Sequence, residues 1–114
     1  MGTELKGILI VIVTAANQEE ATRISERAVK TRQAACATMV PTVRSLYWWE
    51  GELKTEQESM VILKTTVDKF EALQETIRAM HSYEVPEIIA IPVSHGYPPY
   101  IEWVRSETSI SCDR

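Results

Sequence analysis

Three stretches of this chain are apolar on both faces when read as strands, and that property narrows the folds open to it. Ile8 to Val13 places Ile8, Ile10 and Ile12 on one side and Leu9, Val11 and Val13 on the other. Further on, Met60 and Ile62 oppose Val61 and Leu63, and Ile88 and Ala90 oppose Ile89, Ile91 and Val93. A strand filled at both parities needs cover on both faces of its sheet. Only two long amphipathic helices are on offer. One opens at Asn17, with Glu20 completing a capping-box variant, and buries Ala21, Ile24 and Ala28. The other opens at Thr66, buries Phe70, Leu73, Ile77 and Met80, and ends near His81-Ser82.

The remaining elements set the order. Ala34 to Val40 reads as a strand interrupted by Pro41 and resumed from Arg44 to Trp49; a Glu50-Gly51 turn returns the chain from Leu53 to Thr65. A last strand runs from Glu87 to Val93, where Pro92, like Pro41, marks an edge. Pro98-Pro99 starts a short helix with Tyr100, Trp103 and Val104 on one side, and a polar tail follows from about residue 106. Strand, helix, strand, strand, helix, strand is the split βαβ, ferredoxin-like α+β pattern, here with a long hairpin and a short C-terminal helix. Its two main helices lie on one face of the sheet. The other face then has to meet other copies of the chain, because each Val, Ile or Leu left wet forfeits ~1.5–3 kcal/mol.

At 114 residues the chain is read as a single domain, residues 1–114. A net charge of −4 with no basic run argues against nucleic acid and anionic membrane as partners. Two cysteines, Cys36 in an Ala-rich strand and Cys112 in the tail, make no disulfide framework, so a reducing cytoplasm is expected. Gly7 to Val13 is short for a signal-peptide core and Glu4 precedes it, so no leader is expected. There is no nucleophile–base–acid constellation, phosphate loop or paired metal-ligand motif, and the chain is read as not an enzyme.

Several short motifs recur in order over nearly the whole length: Ala34-Ala35-Cys36-Ala37-Thr38, Val40-Pro41, Ser45-Leu46-Tyr47-Trp48-Trp49-Glu50-Gly51, and Glu58 with Ile62-Leu63-Lys64-Thr65. Beyond these come His81-x-Tyr83-Glu84-x-Pro86-Glu87, His95-Gly96 and Tyr100-x-x-Trp103. Taken together, the sequence resembles the CutA family of divalent-cation tolerance proteins. The resemblance implies a ferredoxin-like homotrimer with sheet edges joined between subunits, and a role in tolerance to copper and other divalent metals. Some members bind copper through a cysteine near the end of the first strand and two adjacent histidines at the end of the second helix. Those positions read Val13 and Met80-His81 here, and Ser82 replaces the proline that usually follows, so only His81 carries over. One imidazole is not by itself a tight Cu(II) site. The resemblance therefore implies weak or shared-ligand binding of copper or another divalent cation, with no tightly held cofactor. The family's likeness to PII-type signalling trimers supplies an alternative, a sensor or adaptor that binds a small molecule or protein in clefts between subunits.

The candidate residues each carry two readings. His81 is either a helix C-terminal histidine held by backbone carbonyls or a metal ligand. Met80 belongs to the apolar stripe, or adds a thioether to a Cu(I) site. Cys36 is a buried thiol or a soft-metal or redox group. Glu58, Lys64 and Glu87 are solvated strand ends, or with Trp49 line an intersubunit cleft. Tyr47, Trp48 and Trp49 anchor a subunit interface or stack on a ligand. His95 is a structural loop residue.

Overall fold

A computed structural model of the chain describes residues 7–109. The elements are β1 (Ile8–Ala15), α1 (Gln18–Lys30), β2 (Cys36–Trp49), β3 (Glu52–Thr66), α2 (Val67–Met80), β4 (Ile88–Pro92) and α3 (Pro98–Ser109). The sheet runs β2-β3-β1-β4 with every neighbouring pair antiparallel. The chain thus has the α+β, ferredoxin-like βαββαβ fold with an extended β2–β3 hairpin. Pro41 and Pro92 sit in the two outer strands, the places a sheet tolerates a residue without an N–H.

The helix-side core is built from alternate residues. Val11, Val13 and Ala15 of β1 and Val61 and Leu63 of β3 meet Ala21, Ile24 and Ala28 of α1 and Leu73 and Ile77 of α2, all fully buried. Asn17 caps α1, its side-chain oxygen accepting from Glu20 N–H at 2.9 Å, while Glu20 reaches back to Ala16 N–H at 3.1 Å. Thr66 precedes α2 without a side-chain cap bond, contrary to the sequence reading; its hydroxyl is buried and unpaired. At the hairpin tip Trp49 pairs with Glu52, and both Glu50 (φ 51°) and Gly51 (φ 81°) are left-handed, the two-residue turn that matches strand twist.

The opposite face carries Ile10, Ile12, Met60, Ile62, Ile89 and Ile91, with Ile89 and Ile91 about half exposed. α3 shelters only one end of it, where Ile8, Ala35, Ile101 and Val104 form a small second cluster. Two expectations are corrected here. The buried stripe of α3 is Ile101, Val104 and Thr108, whereas Tyr100 and Trp103 stay partly exposed and stack at 5.6 Å. The helix also continues through Ser109, past the expected start of the tail, because Thr108 is buried and its hydroxyl donates to the Val104 carbonyl at 2.9 Å. Cys112 lies outside the described residues.

A bulge between Val40 and Val43, around Pro41, shifts the β2–β3 register by one residue. Side-chain parity flips with it. Before the bulge Cys36, Thr38 and Val40 share the bare face; after it Val43, Ser45, Tyr47 and Trp49 do, beside Glu58, Glu56, Lys54 and Glu52. Trp48 therefore points to the other side of the arm, across from Leu53, and the aromatic trio is not one rim.

Candidate functional site

The side chains that share the bare face at the hairpin root meet the α2–β4 loop and enclose a cavity of about 740 Å³. Its walls include Ser45, Tyr47, Trp49, Glu56 and Glu58 from the hairpin, Thr14 from the end of β1, and Tyr83, Glu84, Val85 and Glu87 from the loop. Glu58 sits at the back, 5 % exposed. Its Oε1 accepts from Ser45 Oγ at 2.5 Å and its Oε2 from the Tyr83 hydroxyl at 2.7 Å. Burial and the hydrogen bond to this carboxylate hold the Tyr83 phenol far above its ordinary range. Partial desolvation and the charges of Glu56 and Glu58 push Tyr47 upward as well. Among the described residues the lining holds four carboxylates and no Lys, Arg or His.

The loop is held in place from behind. His81, its side chain wholly buried, ends α2 with Nε2 at 2.7 Å from the Thr14 carbonyl. That carbonyl can only accept, so Nε2 carries the proton, and Nδ1 accepts from Tyr83 N–H at 3.1 Å. Glu20, 4 % exposed, stands 3.4 Å from Nδ1 and accepts from Ser82 N–H at 3.2 Å. Burial works against its charge, but the hydrogen bonds from Ser82 and Ala16 outweigh it, so its pKa lies below the ordinary 4.5. The α1 N-terminus, the end of β1 and the cleft loop are thereby tied together through two buried side chains.

The structure brings Trp49, Glu58, Glu87 and Tyr47 to one cavity and leaves out Lys64 and Trp48. Lys64 stands on the same face of β3, six residues or about 20 Å along the strand from Glu58. Met80 packs against the helix-side core. Cys36 is half-buried, not a core thiol, and lies 3.5 Å from the Tyr100 hydroxyl; that hydrogen bond, with burial, pushes the phenol up to about 12. His95 hydrogen-bonds Ser94 on the surface. His81 is set by geometry as a brace: both ring nitrogens are engaged, and a metal could reach either only by displacing a backbone partner. Among the described residues no cluster of three or more His, Cys, Asp or Glu is placed to hold a metal ion, so the residues present do not fit a resident copper site.

Local pattern in the sequence accounts for Glu20 as a helix cap and assigns Ser45 and Tyr83 no role. The missed signal was a buried acid in the first turn of a helix whose tip faces the loop at His81. Spacing along one chain cannot reveal that meeting.

Fold and cleft define a class: small antiparallel α+β domains whose overlong hairpin builds a pocket on the sheet face that the helices leave open. Comparison with known proteins makes the class specific. Residues 9–107 match the family model described as CutA1 divalent ion tolerance protein, and the chain belongs to that family. The divalent-cation tolerance protein CutA of Thermus thermophilus is 39 % identical over 99 residues, covering 87 % of this chain and 96 % of that protein. The chloroplastic protein CutA 1 of rice is also 39 % identical, over 88 % of this chain, but the chain spans only 56 % of that protein's length. The solved Thermus structure superposes with a TM-score of 0.87, covering 89 % of this chain and 98 % of that one.

Proposed function

We propose that this protein is a non-enzymatic, cytoplasmic homotrimer that takes part in tolerance of divalent cations, as the names of its relatives suggest. The observation that carries the assembly is uncovered apolar surface on a folded chain. Leu46 (66 %), Trp48 (72 %) and Leu53 (56 %) are exposed on the arm, and Ile89 and Ile91 on the bare face. Surface of this kind favours contact with sister chains, and the family resemblance supplies the three-fold form. Trp48 and Lys64, which stand outside the cavity, belong to the subunit contacts in this reading. Copper or another divalent cation is bound weakly, through ligands shared between subunits rather than through His81, whose lone pair is used. Light scattering of the purified protein should give three times the chain mass. Titration calorimetry with Cu(II) should show binding no tighter than micromolar and unchanged in His81→Ala. A chain-sized mass, or Cu(II) binding abolished by that substitution, would overturn the proposal.

One observation favours a second reading, a trimeric sensor or adaptor that takes a small molecule. The cavity at the hairpin root is large enough for one and has three aromatic walls. A screen of metabolites for thermal stabilisation tests it: stabilisation by an organic molecule where metals give none supports it, and none by any molecule removes it.

A further inference from the structure

The chemistry of the cavity lining selects among small molecules. Glu58 is a carboxylate 95 % buried by its 5 % exposure, and among the described residues no Lys, Arg or His nitrogen lies within ion-pair distance of it. Its two observed partners, Ser45 and Tyr83, are neutral hydroxyls. A carboxylate offers about four acceptor positions, so roughly two remain open. Burying a negative charge without a counter-charge is costly. Three further carboxylates, Glu56, Glu84 and Glu87, line the same space, as do the rings of Tyr47, Trp49 and Tyr83. Lys54, the strand cation on that side of the hairpin, is drawn to Glu52 at 3.6 Å and does not line the cavity. Aromatic faces and carboxylates together favour a cation with an apolar surface, and they disfavour anions.

We propose that the cleft is a binding site for a small organic cation, an alkylammonium or quaternary amine, whose positive centre meets Glu58 while its carbon groups lie against Trp49 and Tyr47. This rests on the small-molecule reading above and adds the ligand's charge. Tyr83 acts as a positioning residue: its hydroxyl fixes Glu58, and the brace at His81 and Glu20 fixes Tyr83.

The test is titration calorimetry on the assembled, full-length protein with choline and with neohexyl alcohol, which replaces the quaternary nitrogen by carbon. Choline should bind and quench tryptophan fluorescence, and the alcohol should bind at least about tenfold more weakly. Glu58→Gln should weaken choline by about tenfold or more with the fold intact by circular dichroism. Should that variant not fold, Glu56→Gln and Glu87→Gln, at exposed positions, together should still weaken choline and flatten its salt dependence. Equal binding of choline and the alcohol overturns the cation assignment while leaving a small-molecule cleft standing. If neither binds, nor does any molecule in the metabolite screen, both fall. Choline binding that survives all three substitutions also overturns the assignment.

Discussion

Glu20→Gln tests the buried brace behind the cleft. The carboxylate accepts from Ala16 N–H through one oxygen and from Ser82 N–H through the other, at 3.1 and 3.2 Å. Glutamine keeps the shape but has one carbonyl oxygen, so its amide nitrogen faces one of these N–H groups. A hydrogen bond to a charged group contributes about 1.5–3 kcal/mol, and a stranded donor adds its own desolvation cost, giving a loss of about 3 kcal/mol. Guanidinium unfolding followed by far-ultraviolet circular dichroism, at fixed protein concentration, measures this at pH 7. A pH series adds a second criterion. Because the folded-state pKa of Glu20 is depressed below 4.5, its charge contributes stability that is fully present above that value. The contribution disappears as pH falls through the folded-state value. The gap between wild type and variant should stay level from neutral pH to about 4.5 and close below it. A loss under about 1 kcal/mol at pH 7, or a gap unchanged down to about pH 3, would refute the reasoning.

Other expectations follow from single contacts. Leu63→Ala removes a fully buried β3 side chain from the helix-side core and should cost about 2–5 kcal/mol in the same assay. Tyr83→Phe leaves the buried Glu58 with one partner and should cost about 1–3 kcal/mol; a neutral result would mean that solvent replaces the hydroxyl. Gly51→Val puts a branched side chain at φ 81° and should lower stability by at least about 1 kcal/mol, with Gly51→Asn milder. Trp48→Glu combined with Leu53→Glu should lower the mass seen by light scattering while the secondary structure remains.

Elements were legible in the sequence where local chemistry decides them. The α1 stripe of Ala21, Ile24 and Ala28 is fully buried as its spacing requires, and the Glu50-Gly51 turn sits where two strands must reverse. The α3 stripe of Tyr100, Trp103 and Val104 holds only at Val104: Ile101 and Thr108 are the other buried positions, and the rings of Tyr100 and Trp103 pack on each other. In the cleft, Glu58, Glu87 and Trp49 stood out as charges and a large ring in apolar strands. Lys64 stood out for the same reason, yet the strand carries it to the far end of the face. The link from Glu20 to the loop spans 62 residues and was invisible to any local pattern.

The extra residue near Pro41 decides which rings look into the pocket. Straightening that step at constant chain length would slide β2 by one residue, swing Trp48 inward and turn Tyr47, Trp49 and Ser45 out, whereas deleting the extra residue would keep Val43 opposite Glu58 and the same rings in the pocket. Ligand preference in this architecture can thus be rewritten by the backbone path at one step, with no side chain in the pocket replaced.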